Sequence, residues 1–254
     1  DGTVQVWDIN TGKGLYKLKD PNDQTSDRIL DLIFTRSSLR LYAGYASGTI
    51  RSWQRSKDVY FDSKPAQVLK IPDRFAYQAW SLALSPDENI LVSAGQFKRL
   101  MLWDVANSQP WQLKLSENAG NQGEQNYFYD VNFVPNTSIL AASDSDGYVT
   151  FWDLNQCQKA APNKSLEQLT QKNCKQLVRW QVSSKPIRSI LFTPNQRWLV
   201  SAGDNGQIQA WRLTEKFTPD LTQKPKQIGA SKSRITSLDL IAKEQGVWIA
   251  SGSG

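Results

Sequence analysis

The feature that most limits how this chain can fold is a phrase that comes back. An apolar pair leads into small residues, then a tight polar turn, then alternating residues ending in Trp. It reads LYAGYASGTIRSW at 41–53, LVSAGQFKRLMLWD at 91–104, LAASDSDGYVTFWD at 140–153 and LVSAGDNGQIQAWR at 199–212. The chain opens on the second half of the phrase, DGTVQVWD at 1–8, and closes on its first half, WIASGSG at 248–254. The recurring Trp7, Trp53, Trp103, Trp152 and Trp211 stand 46, 50, 49 and 59 residues apart. A period of this size implies a stacked array of one supersecondary unit.

A second element precedes each phrase: RILDLIFT at 28–35, AWSLALSPDE at 79–88, YDVNFVPNT at 129–137, IRSILFTPNQ at 187–196 and RITSLDLI at 234–241. Their period-two alternation predicts strands with one covered face. Three of them run into a turn led by Pro86, Pro135 or Pro194, whose fixed φ suits the second turn position. The pairs Asp1-Gly2, Ser47-Gly48, Asp146-Gly147 and Asn205-Gly206 accept positive φ and predict two-residue hairpins. A fourth, more polar segment links each Trp strand to the next unit. The expected fold is therefore all-β, a β-propeller of four-stranded antiparallel blades with about five units in one domain over 1–254.

At these residues the chain resembles the WD-repeat propellers. The Trp-Asp pair stands at Trp7-Asp8, Trp103-Asp104 and Trp152-Asp153, while Trp53-Gln54 and Trp211-Arg212 depart from it. The resemblance implies a network joining a Gly-His pair, a Ser or Thr of the second strand, the Trp and a turn Asp. Ser93, Ser201 and Ser251 match the Ser position, Ala43 and Ala142 replace it, and the chain has no His. With the network incomplete in every unit, packing of Trp and aliphatic residues between blades is expected to outweigh polar networks.

The two ends join into one phrase, VWIASGSGDGTVQVWD, with 50 residues from Trp211 around to Trp7. Two readings follow. In a five-bladed ring, 1–8 completes the last unit, 226–254; alternatively the chain is a window on a longer array, seven blades being the family's usual number. The first residue is Asp and the one Met is Met101, so a fragment or processed chain is expected, with targeting signals left open.

The missing His also removes Ser-His-Asp and Cys-His chemistry and His-ligated zinc. No phosphate-binding GxxxxGK[ST], dinucleotide GxGxxG or Cys cluster is present, and neither a cofactor nor a metal is expected. Asp8, Asp104 and Asp153 match a family position that is usually structural, so a non-enzymatic role is expected. The longest apolar run is four residues, against about 20 for a membrane helix. Net charge is −3 over 1–153 and +9 over 154–254. That basic portion supports an alternative role in binding nucleic acid or an anionic surface, although scattered charges more often form a solvated face. Cys157 and Cys174 lie 17 apart in a polar insertion, Leu154 to Val178; two free thiols in a reducing, cytoplasmic setting are expected rather than a bridge.

The family resemblance implies that protein or peptide partners meet the residues just before and within the inner strands, together with the hairpin loops. Those positions hold Arg28, Tyr77, Gln78, Trp80, Tyr127, Phe128, Tyr129, Lys185, Arg188 and Arg234. Aromatic and Arg side chains are the types enriched at interface hot spots. Trp80 and Phe128 are equally open to core packing, and a strand can bury only alternate members of Tyr127-Phe128-Tyr129. The expected function is a non-catalytic protein-interaction scaffold. A second alternative is the regulatory module of a larger signalling protein.

Overall fold

The computed structural model of the chain describes residues 2–22, 27–56, 61–62, 64–70, 78–96, 99–114, 127–155, 157, 174–243 and 246–254. Among them every regular element is a β-strand, and none forms a helix. Four antiparallel sheets of four strands run in chain order from inside to outside. They are β3 (Ile29–Phe34), β4 (Arg40–Tyr45), β5 (Ile50–Gln54) and β6 (Gln67–Leu69); then β7 (Ser81–Leu84), β8 (Ile90–Ala94), β9 (Arg99–Asp104) and β10 (Gln109–Lys114). The third holds β11 (Phe128–Phe133), β12 (Ile139–Asp144), β13 (Tyr148–Asp153) and β14 (Lys175–Gln181). The fourth holds β15 (Ile187–Phe192), β16 (Trp198–Gly203), β17 (Gln207–Arg212) and β18 (Lys226–Ala230). Two-stranded sheets flank them: β1 (Val4–Trp7) with β2 (Gly14–Leu18), and β19 (Ile235–Lys243) with β20 (Gly246–Ser253).

Successive inner strands β3, β7, β11, β15 and β19 lie side by side, and the β1–β2 sheet packs on β3–β6 through Val4, Leu18, Leu41, Tyr45 and Trp53. The core is built between sheets. Trp53, Trp103 and Trp152 are fully buried among aliphatic residues of their own and neighbouring sheets, the largest apolar area any side chain removes from water. The terminal sheets differ: β1 pairs with β2 and β20 with β19, and the two sheets are not paired with each other. Trp7 and Trp248 are 58% and 64% exposed, so the repeat Trp of the first sheet is not a core residue here. Ser251, ten positions ahead of Trp7 if the phrase is joined end to end, is exposed on β20.

The hairpin turns are longer than the Gly pairs suggested. Tyr45 N–H donates to the Thr49 carbonyl and Gly48 N–H to the Tyr45 carbonyl, leaving three residues in the loop. Gly48, Gly147 and Gly206 take φ of 79°, 79° and 69°, the left-handed residue that ends a three-residue hairpin. Gly147 is needed for space as well, since a Cβ there would stand 2.1 Å from the Ser183 carbonyl oxygen.

The cysteines are bonded, Cys157 to Cys174, which corrects the expectation of free thiols. The cause is register. Asp153 pairs with Lys175 across β13 and β14, so the two ends of the insertion meet where the hairpin begins and the Cα atoms lie 4.4 Å apart.

Candidate partner-binding face

Five inner strands meet around a cavity of about 390 Å³ lined by Asp31, Ser81, Asp130, Ser189, Asp239 and their neighbours. Inner strands of adjacent sheets share no ladder, so their backbone N–H groups need other acceptors. One position of each repeat supplies them. Leu82 N–H of β7 donates to Asp31 Oδ2 of β3 at 2.7 Å, and Val131 N–H of β11 donates to Ser81 Oγ at 3.2 Å. Ile190 N–H of β15 donates to Asp130 Oδ2 at 2.8 Å, and Leu238 N–H of β19 donates to Ser189 Oγ at 3.2 Å. Asp130 also accepts the Ser81 and Ser189 hydroxyls at 2.8 and 3.1 Å. This girdle ties each sheet to the next. Burial pushes the Asp31 carboxyl from 3.8 to about 6 despite two backbone donors, the nearby Asp130 adding to the rise; burial raises Asp130 as well.

The residue ahead of each girdle position is bulged. Register breaks fall at Leu30, Tyr129, Arg188 and Thr236, and Trp80 N–H donates to the Ala94 carbonyl while Ala94 pairs with Ser81. A bulge leaves one residue outside the ladder and re-aims its side chain. The repeat therefore presents Leu30, Trp80, Tyr129, Arg188 and Thr236 as a series, each one residue ahead of the same repeat position.

Three members of the series form a stack. The Trp80 and Tyr129 rings are 5.2 Å apart and within 6° of parallel, Tyr127 sits 4.9 Å from Trp80, and the Arg188 guanidinium lies 4.0 Å from the Tyr129 centroid. Trp80 Nε1–H donates to Gln78 Oε1 at 2.5 Å. Arg188 makes a two-pronged pair with Asp204, Nε to Oδ1 and Nη2 to Oδ2, each at 2.8 Å. That pair holds Asp204 below the usual carboxylate range and raises Arg188 further; burial lifts the Tyr129 hydroxyl. Both partners are about a quarter exposed, so the pair orients the guanidinium more than it stabilises the fold.

Of the residues expected on this face, Gln78, Trp80, Tyr127, Tyr129 and Arg188 come together, partly exposed, across β7, β11 and β15. Lys185 and Arg234 are exposed beside them, close enough to act on the Asp204 charge. Arg28 is exposed ahead of β3, and Tyr77 lies outside the described residues. Phe128 is core, 0% exposed and edge-on to Trp152. Sequence reasoning missed Asp204 and the girdle. The girdle's signal was available: Asp31, Ser81, Asp130, Ser189 and Ser237 occupy one repeat position.

The repeat Trp residues behave as their neighbours dictate. Trp103 and Trp211 Nε1–H donate to Ser93 and Ser201 Oγ at 3.3 and 2.9 Å. Trp53 and Trp152, diagonally across the ladder from Ala43 and Ala142, find no acceptor among the described residues. Asp8, Asp104 and Asp153 accept backbone N–H groups of the turn that follows them, a structural task.

The model of the "WD domain, G-beta repeat" family matches residues 120–153 and 174–212. The chain carries WD repeats in these two regions. Its WD repeats are similar to Target of rapamycin complex subunit wat1 of Schizosaccharomyces pombe, 27% identical over 179 residues, 70% of this chain and 46% of that protein. They also match WD repeat and SOCS box-containing protein 1 of Danio rerio and of Homo sapiens, 33% and 32% identical over 106 residues, 41% of this chain and under a quarter of each relative. The chain thus spans less than half the length of these relatives. Among the described residues no helix is long and apolar enough to cross a membrane, and no group of three metal-ligating side chains forms.

Proposed function

We propose that this chain is a non-catalytic interaction module, one domain over 1–254, that binds protein or peptide partners on the face carrying the Trp80–Tyr129–Arg188 stack. WD-repeat proteins generally serve as protein-interaction scaffolds, and the relatives' names describe a complex subunit and a SOCS box protein. The observation that carries the reading is the stack itself. Three aromatic side chains and an arginine, contributed by or just ahead of three inner strands, stay partly exposed where burying them would be favourable. Such amphipathic, pre-oriented groups lose little conformational freedom on binding. Lys185 and Arg234 extend the face, and Asp204 holds Arg188 in place.

The test is the triple variant Trp80→Ala, Tyr129→Ala, Arg188→Ala in the full chain. Quantitative affinity purification should lose the partners retained by the parent chain, with the unfolding midpoint within a few degrees of the parent. Undiminished recovery of the same partners would falsify the assignment of this face. The competing reading, nucleic-acid binding through the basic residues of 154–254, predicts instead that affinity collapses with added salt. The carboxylate of Asp204 among Lys185, Arg188 and Arg234 counts against it, because it repels a phosphate chain laid across those cations.

A further inference from the structure

The geometry points to a partner of particular chemistry for this face: an extended acidic peptide that sets an aromatic side chain against Trp80 and Tyr127 and a carboxylate against Lys185 and Arg234. The inference rests on reading the face as a protein-binding surface.

The face is polarised along the order of the inner strands. At one end, the residues just ahead of β7 and β11 supply Trp80 and Tyr127 and β11 supplies Tyr129, three rings with centroids 4.9 to 6.0 Å apart. At the other, the segments before β15 and β19 supply Lys185 and Arg234, both exposed. Between them Arg188 is committed twice, to the Tyr129 ring and to Asp204. Asp204 balances one of the three cations around it, so the face keeps a local excess of positive charge beside an aromatic platform.

An anion of one or two charges next to a flat apolar group complements that arrangement. Alternate side chains of an extended segment lie about 7 Å apart on one side, comparable with the steps of the stack. A peptide that carries an acidic residue a few positions from an aromatic one therefore matches the polarity of the face. A phosphate chain fits less well, since it carries charge continuously and passes over the Asp204 carboxylate.

The experiment selects short random peptides displayed on phage against the full chain, then measures the enriched peptides by fluorescence anisotropy beside oligothymidine as a polyanion. The expected result is enrichment of Asp or Glu within a few residues of Phe, Tyr or Trp. Binding of those peptides should weaken by roughly ten-fold or more in the double variant Lys185→Glu, Arg234→Glu. The same variant, used as bait, should enrich Lys or Arg in place of the acid. Both positions are exposed, and an unchanged unfolding midpoint confirms that the variant folds. Peptides that depend on Trp80 and Tyr127 but carry no acidic residue overturn the inference and leave the protein-binding reading standing. Peptides indifferent to Trp80→Ala and Tyr127→Ala overturn the protein-binding reading itself. Failure to enrich any peptide, or displacement of the selected peptides by oligothymidine with steep salt dependence, overturns the acidic-peptide assignment.

Discussion

The four complete sheets are of two kinds, and the kinds alternate. Sheets β3–β6 and β11–β14 place Ala43 and Ala142 diagonally across the ladder from the repeat Trp and put Asp31 and Asp130 in the girdle. Sheets β7–β10 and β15–β18 place Ser93 and Ser201 there and put Ser81 and Ser189 in the girdle. Each Ala-type sheet also carries an arginine over a tyrosine ring and paired with an aspartate, as Arg188 of a Ser-type sheet does with Tyr129 and Asp204. Arg51 lies 4.3 Å from Tyr45 and 3.2 Å from Asp20; Arg179 lies 3.6 Å from Tyr148 and 3.1 Å from Asp144. Yet Trp103 of a Ser-type sheet is buried as fully as Trp53 and Trp152 of the Ala-type sheets, while Trp211, in the last complete sheet, is only partly buried. Packing places the Trp, and the polar partners are adjustable around it.

If that is right, truncating the Trp should cost the same in both kinds. Trp103→Ala and Trp152→Ala are each expected to lose about 3–5 kcal/mol, the usual range for a fully buried large aromatic. Chemical denaturation gives the comparison directly. A markedly larger loss at Trp103 would mean that its bond to Ser93 Oγ, and not packing, sets its position.

The same contrast shows what sequence could reveal. The Trp period, the alternation of the inner strands and the positive-φ glycines are local patterns repeated several times, so they were readable as four-stranded sheets. The Ser or Ala ten positions before each Trp was readable for the same reason. Asp31, Ser81, Asp130 and Ser189 were not read as one feature, because a lone polar residue in an alternating strand looks like a solvated position until neighbouring sheets come together. Asp204 escaped because it sits in a hairpin turn, 16 residues beyond the arginine it orients. The disulfide escaped because the length of the insertion hides the pairing of its two ends. On the proposed face, residue type and position were legible, whereas the stack depends on bulges that one-dimensional spacing does not record.

The next largest effect belongs to one Ala-type sheet alone. Cys157–Cys174 closes the 17-residue separation between β13 and β14, and replacing both with Ser is expected to cost about 3 kcal/mol by freeing that loop in the unfolded chain. Measuring the parent with and without a reductant should give the same difference, while the Cys157→Ser, Cys174→Ser variant should not respond. A cytosolic glutathione poise would hold many such pairs open and an oxidising compartment would keep them closed, so the redox response bears on where this chain works.

Asp31 offers a pH test of the girdle. Its carboxyl takes up a proton near pH 6 in the folded chain and near 3.8 when unfolded. Between those values the folded state binds more protons, so this group adds stability as pH falls from about 6 to about 4 and lowers it above pH 6. Allowing for its partial exposure to the cavity, the difference is about 2 kcal/mol. Asp130, buried beside it, acts in the same direction, whereas Asp204, lowered by Arg188, acts in the opposite one. Subtracting the pH profile of Asp31→Asn from that of the parent isolates the contribution. A flat difference between pH 4 and 7 would refute it. Ser81→Ala, the equivalent position in a Ser-type sheet, should leave the slope attributable to Asp31 in place.

The smallest effect is the sharpest discriminator between the two kinds of sheet. Ser93→Ala removes the acceptor of Trp103 Nε1–H and should cost about 1 kcal/mol, the value of one net hydrogen bond left unmade. Ala43→Ser and Ala142→Ser should do the reverse, because each sets an oxygen ten positions ahead of a buried Trp whose N–H lacks an acceptor among the described residues. The gain should be smaller, about 0.5 kcal/mol, since the new hydroxyl must itself be buried. The pair of changes is worth making together. If Ala142→Ser stabilises and Ser93→Ala destabilises, the two kinds of sheet differ only in whether an available bond has been made. If Ala142→Ser destabilises, the pocket around Trp152 has been shaped to the smaller residue, and the Arg179–Asp144 pair of the same sheet has taken over the polar role that Ser93 fills in its neighbour.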